Sequence, residues 1–160
     1  QRSMTHAARL IVWGGVTFAA AAIGAIASSS APEFYAALAK PAWAPPSWLF
    51  GPVWTALYAM MAVAAWRVSH AGGPRAPQAL GLYVMQLAAN AAWSWLFFSL
   101  HSGAAALADI VLLVGLIAAT MAAFARVSRL AALLLAPYLA WVLFASALTW
   151  TLWRANPSLL

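Results

Sequence analysis

The side chains here that could do chemistry are indoles, phenols and amides, because the ionisable groups usual in catalysis are sparse. Charged residues make up 6% of the 160 residues, and the two carboxylates are Glu33 and Asp109. Cysteine is absent, which removes thiolate ligands, thiol nucleophiles and disulfides. His6, His70 and His101 fall at segment edges without metal-ligand spacing, so no metal site is expected. No Ser-His-Asp set, phosphate-cradling glycine loop or carboxylate pair occurs. Neither hydrolysis nor redox chemistry has visible machinery, and no cofactor is expected.

What remains is aromatic. Residues 40–58 read K-P-A-W-A-P-P-S-W-L-F-G-P-V-W-T-A-L-Y, with Trp43, Trp48 and Trp54 among Pro41, Pro45, Pro46 and Pro52. The first three prolines cannot propagate a helix, since each lacks an N–H and restricts its predecessor. A stiff loop is expected there, running into an apolar helix that tolerates Pro52 in its first turn. Such an indole-lined entrance suits a large, flat, hydrophobic ligand.

Three helical stripes could form the walls. Gln86, Asn90, Trp93 and Phe97 share one helix face. Two amides at bilayer depth must face inward and find partners, either as interhelical glue or as the polar floor of a cavity. Tyr138, Trp141, Ala145, Leu148 and Thr149 form a second stripe, and Trp54, Tyr58, Met61 and Ala65 a third. Aromatic stripes often signify plain packing. Here two of them set an aromatic beside small residues, which packs poorly unless something fills the gap. Asp109, two turns into a helix, is a functional candidate as an intramembrane carboxylate, though hydration near the interface explains it equally. Glu33 reads as solvated.

The elements that must position these residues are membrane spans. At 66% hydrophobic, the chain exceeds what a soluble domain of this size can bury, so an integral, multi-pass membrane protein is expected. Five segments qualify as spans: residues 9–28, 48–68, 79–100, 104–124 and 130–153. Pro137 falls inside the fifth, where a kink is tolerated if neighbouring helices re-satisfy the freed carbonyl. Short linkers favour antiparallel neighbours in one all-α, five-helix bundle, a single domain without internal repeat. Gln1-Arg2-Ser3 ahead of Met4 reads as a cloning remnant, and the first apolar stretch is too long for a signal-peptide core. Trp66 and Trp153, each beside an arginine, are assigned to the interfacial belt; Trp13 and Trp150 stay ambiguous.

The net charge of +6 sits mainly at segment ends, which favours phospholipid headgroups over nucleic acid as counter-ions. Arg2, Arg9, Arg67, Arg75, Arg126 and Arg129 fall on one side, with Lys40 and Arg154 on the other. By the positive-inside rule the N-terminus is cytoplasmic and the Trp/Pro loop lies opposite.

The chain resembles the tryptophan-rich sensory protein/translocator protein family, formerly the peripheral benzodiazepine receptor. The resemblance rests on F-Y-A-A-L-A-K-P-A-W-A-P-P-S-W (34–48), P-V-W-T-A-L-Y (52–58), G-L-Y-V-M-Q-L-A-A-N-A-A-W (81–93), P-Y-L-A-W-V-L-F-A-S-A-L (137–148) and W-R-A-N (153–156). It implies a five-helix bundle, often a homodimer, whose cavity takes porphyrins, sterols and synthetic isoquinoline or benzodiazepine ligands. It implies ligand contacts from Gly24 and Ala27 on the first helix, and from Phe50, Gly51, Val53 and Trp54 at the loop and second helix. Asn90 and Trp93 would come from the third, Ala108 and Leu112 from the fourth, and Trp141, Ala145 and Leu148 from the fifth. Three departures stand out. Thr149 replaces a usual Asn, Ser94-Trp95 replaces a proline pair of animal members, and residues 148–154 lack the Tyr of the sterol-associated pattern.

Three functions follow from these readings. The first is a membrane binding protein for porphyrin-type tetrapyrroles such as protoporphyrin IX, with a translocating or stress- and oxygen-sensing role. Indoles would stack on the macrocycle faces, and Lys40 or loop N–H groups would meet its carboxylates. No His or Cys lies on the cavity stripes, so metal-free porphyrin fits better than axially ligated haem. The second is light- and oxygen-dependent porphyrin breakdown, for which the resemblance points to Trp54 and Trp141 as catalytic candidates. The third is a sterol- or lipid-binding or structural subunit, with Ala88 and Ala92 offering a small-residue dimer face.

Overall fold

The computed structural model describes residues 5–160, all helical with no strand among them. Residues 1–4, including the presumed remnant and Arg2, lie outside the described residues. Thr5 caps α1 (His6–Ala27), its hydroxyl accepting the N–H of Ala8 at 3.1 Å. A short helix the sequence reading places in a loop follows: α2 (Ala31–Ala37), with Pro32 in its first turn and Glu33 favourably placed against the helix dipole. After the proline-rich segment, a single 3₁₀ turn (Ser47–Leu49) leads into α3 (Phe50–Ala71). Gly72 (φ 66°) and Gly73 (φ 88°) end α3 in left-handed conformations that glycine adopts without strain.

Helix α4 (Ala76–Ser94) continues through a π turn, Trp95–Ser99. Ser102 accepts the N–H of Ala105 to cap α5 (Gly103–Ala125). Ser128 caps α6 (Arg129–Leu134) in the same way, and α7 (Ala136–Ala155) follows. Pro137 therefore does not kink a continuous fifth helix. The helix breaks at Leu135, and Pro137 occupies the first turn of α7, where its missing N–H costs nothing.

Four stretches are long and apolar enough to cross a bilayer: His6–Ala27, Ser47–Ala71, Gly103–Ala125 and Arg129–Ala155. The sequence reading expects five. Helix α4 falls short because Gln78, Gln86 and Asn90 dilute it. Gln86 and Asn90 are buried, packed among protein rather than lipid, so α4 can carry polarity that a lipid-facing helix cannot.

Helix α1 runs against α3 and α4, and α4 packs on α5. Arg9 donates to the carbonyl (3.1 Å) and hydroxyl (2.8 Å) oxygens of Ser69, fixing the N-terminal end of α1 against the C-terminal end of α3. The half of the bundle at that end is tightly filled. Val68, Ala79, Tyr83, Ile117, Phe124 and Ala131 are completely buried there, and the Thr17 and Tyr83 hydroxyls bond at 2.6 Å across α1 and α4. His6 and His70 also meet at that end, ring centroids 3.6 Å apart, a contact invisible in their sequence spacing.

Candidate functional site

The opposite half of the bundle encloses a cavity of about 390 Å³, within the range of small-molecule sites. Its walls are aromatic because the three stripes converge. Trp54 and Tyr58 come from α3, Trp93 and Phe97 from α4 and its π turn, and Trp141 from α7. Phe50 meets Trp141 edge-on at 6.0 Å, and Trp93 stacks on Phe97 at 5.0 Å. These bulky rings prop one another apart where the other half has interdigitated aliphatic chains.

The floor is polar and fully connected across three helices. The Tyr58 hydroxyl donates to Asn90 Oδ1 at 2.9 Å, and Asn90 Nδ2 donates to the Tyr138 hydroxyl at 2.7 Å. That hydroxyl donates in turn to Gln86 Oε1 at 2.5 Å. The two amides thus act as interhelical glue and, at Asn90, as cavity floor. Buried polar groups without such partners are costly. Among the described residues, four side-chain atoms are buried with no partner: Gln86 Nε2, Trp93 Nε1, Trp141 Nε1 and Asp109 Oδ2. Two of these are indole N–H donors on cavity-lining residues. Asp109 does not line the cavity.

The roof is α2 and the proline-rich segment. Tyr35 is buried and donates to the carbonyl of Pro45 at 2.7 Å; burial pushes its pKa up, keeping it a neutral donor. Lys40 donates to the carbonyls of Tyr35 (2.9 Å) and Leu38 (3.1 Å), fastening the end of α2. Asn156, at the end of α7, ties this roof to the bundle. It accepts the N–H of Ala39 at 2.7 Å and donates to the carbonyl of Ala39 at 2.9 Å, pairing as a strand neighbour would. A third bond, from Asn156 Nδ2 to the carbonyl of Leu152, holds the amide in place.

Of the sequence-predicted site residues, Gly24, Phe50, Gly51, Trp54, Asn90, Trp93, Trp141, Ala145 and Leu148 line the cavity. Ala27, Val53, Ala108 and Leu112 do not. Ala27 is buried, Val53 packs into the core, and Ala108 and Leu112 point outward, Leu112 being 58% exposed. On α5 the inward positions are Ile110 and Leu113 instead. The polar cue on that inward face is Thr120, seven residues beyond Leu113 and completely buried. Phe18 and Ala21 on α1 also line the cavity without a sequence cue. Trp66 donates to the carbonyl of His6 at 2.9 Å. Trp153 packs on Gly103, where a Cβ would lie 2.5 Å from its ring, so it serves helix packing and not only the interface.

The TspO/MBR family pattern matches residues 13–154. The chain is 46% identical over 142 residues to the tryptophan-rich protein TspO of Chlorobaculum tepidum, covering 85% of this chain and 90% of that protein. It is 46% identical over 127 residues to the human translocator protein (78% and 75%) and 41% identical over 140 residues to the tryptophan-rich sensory protein of Cereibacter sphaeroides (85% and 87%). The chain belongs to the TspO/MBR family and is an integral membrane protein.

Proposed function

We propose that this TspO/MBR protein binds porphyrin-type tetrapyrroles in the loop-side cavity of a single five-span domain, as part of a translocating or sensing role. The names of its relatives, translocator and sensory protein, support the role. The observation that carries the ligand class is the pairing of flat aromatic walls with two buried indole N–H groups, Trp93 and Trp141, that have no acceptor. A macrocycle offers faces for stacking and carboxylates for the donors. Lys40 lies in a recess whose walls include Pro32, Tyr35 and Ser47, residues that also line the cavity mouth. One of its three donor hydrogens is free of the two carbonyl bonds, so it suits a propionate there. No histidine lines the cavity, which favours a metal-free porphyrin. In this reading Gly24, Phe50, Gly51, Trp54, Asn90, Ala145 and Leu148 supply the remaining contacts. Helix α4 is the fifth span, sheltered by its neighbours.

A fluorescence titration with protoporphyrin IX in the dark tests the proposal: saturable tryptophan quenching is expected, and its absence would overturn it. Repeating the titration under light with product analysis separates binding from photodegradation. A new absorbing product that disappears in Trp54→Phe or Trp141→Phe would favour the enzyme.

A further inference from the structure

The cavity wall is uneven in a way the binding reading does not use. Lining residues from α4, α5 and α7 are all buried or half-buried. The exposed lining residues in the long helices belong to α1 and α3 alone: Phe18, Ala25, Gly51 and Thr55. The two helices run antiparallel, clasped at their far end by the Arg9–Ser69 bonds and at mid-depth by Phe18 beside Tyr58, centroids 6.2 Å apart. Beyond Phe18 the cavity-lining residues on α1 are small: Ala21, Ala25 and Ser28, with Gly24 buried against Ser94 of α4. Measured from Phe18 to Ser28, this opening runs about 15 Å at the α-helical rise per residue, roughly half of a hydrocarbon core. It is therefore a slot along the side of the bundle and not merely the rim of the mouth. The loop face is partly covered by α2, tied down through Asn156 with Pro32 and Ser47 exposed at the mouth, while the inner end is closed by the Tyr58–Asn90–Tyr138–Gln86 floor.

We infer that the cavity exchanges its contents sideways, through the α1/α3 slot, with the leaflet on the loop side of the membrane. The substrates it serves are accordingly molecules already dissolved in the bilayer. A blind cup with a side door takes up and returns such a molecule on one side, which, of the two roles proposed above, accords with sensing and not with passage through the bundle. This rests on the reading of the cavity as a ligand site, but not on the ligand being a tetrapyrrole.

The native chain has no cysteine, so Ala145→Cys places a single reporter thiol on the cavity wall. The full-length protein in phosphatidylcholine vesicles is treated with N-(1-pyrenyl)maleimide, which partitions into the bilayer. The expected result is ready alkylation that slows by about tenfold when Ala25→Phe and Thr55→Phe fill the slot, and stays unchanged when Asn156→Ala frees the roof. If the double variant does not fold, Gly51→Leu serves in its place, because no atom lies within 4 Å of a Cβ built there. Three results would overturn the inference: an unreactive thiol, slowing below about threefold in the plugged protein, or acceleration by Asn156→Ala that plugging does not reduce. No porphyrin is present in this experiment, so a failed porphyrin titration and a failed side door are told apart.

Discussion

The two halves of the bundle use different residues to opposite ends. At the N-terminal end of α1, small and aliphatic side chains from α3, α4, α5 and α6 close around Tyr83 and Phe124, leaving both completely buried. At the loop end, aromatic rings predominate and leave a cavity between them. Alanine against a branched chain interdigitates, whereas bulky rings meet stacked or edge to face and leave gaps between the pairs. The difference implies that stability resides mainly in the first half, leaving the second free to accommodate a ligand.

The sharpest way to break this comparison is to cut into the packed half. Phe124→Ala should cost about 3–5 kcal/mol of stability, as large-to-small core changes do, while the fraction that remains folded binds ligand with unchanged affinity. Melting curves and porphyrin titrations on one preparation check both. Equal losses in both readouts would show that the halves are not separable.

Next in size is Gly103→Ala, which probes the tightest point of the loop half. Its Cβ would lie 2.5 to 2.9 Å from Trp153 atoms, and overpacking of this kind costs about 1–3 kcal/mol. A melting temperature equal to that of the parent would mean that the indole moves aside freely.

Trp141→Ala should act in the opposite sense to Phe124→Ala. Ligand affinity falls by about 1–2 kcal/mol, from a lost stacking face and lost burial, with a smaller change in melting temperature. Unchanged affinity would make Trp141 a packing residue.

Ala145→Thr is the finest test. The added methyl and hydroxyl enter the cavity, and the hydroxyl can bond back to the carbonyl of Trp141, as Thr149 already does to that of Ala145 at 2.7 Å. Affinity should fall by less than for Trp141→Ala, with helical content intact by circular dichroism. A large loss of melting temperature at constant affinity would remove Ala145 from the cavity wall.

How legible each half is in the sequence follows from where its polarity lies. The stripe of Gln86, Asn90, Trp93 and Phe97 can be oriented because amides cannot face lipid, and the structure turns it inward. The stripes on α3 and α7 can be oriented for a related reason, each pairing phenol or indole groups with small residues. Helix α5 offers a weaker handle, the completely buried Thr120 on its inward face. Ala106, Ile110, Leu113 and Ile117 share its buried face, yet Leu112 and Val111 beside them are equally apolar, and the Ala108 and Leu112 that the resemblance implies lie off the cavity wall. The same absence of contrast hides Phe18 on α1. Helix α2 falls between the spans read at 9–28 and 48–68, where Pro32 initiates a short helix too small to show a periodicity. The Asn156–Ala39 pairing joins residues 117 apart in sequence, with no periodicity to announce it.

That separation also sets an order of events during synthesis. Ala39 emerges soon after the first membrane helix, but its partner amide is made 117 residues later, about 6–23 s at typical translation rates. Throughout that interval α2 and the proline-rich segment lack their anchor on α7, and Trp54 and Trp93 are both made before it arrives. The roof is made early and fastened late, so the nascent cavity stays open to the membrane until the last helix arrives.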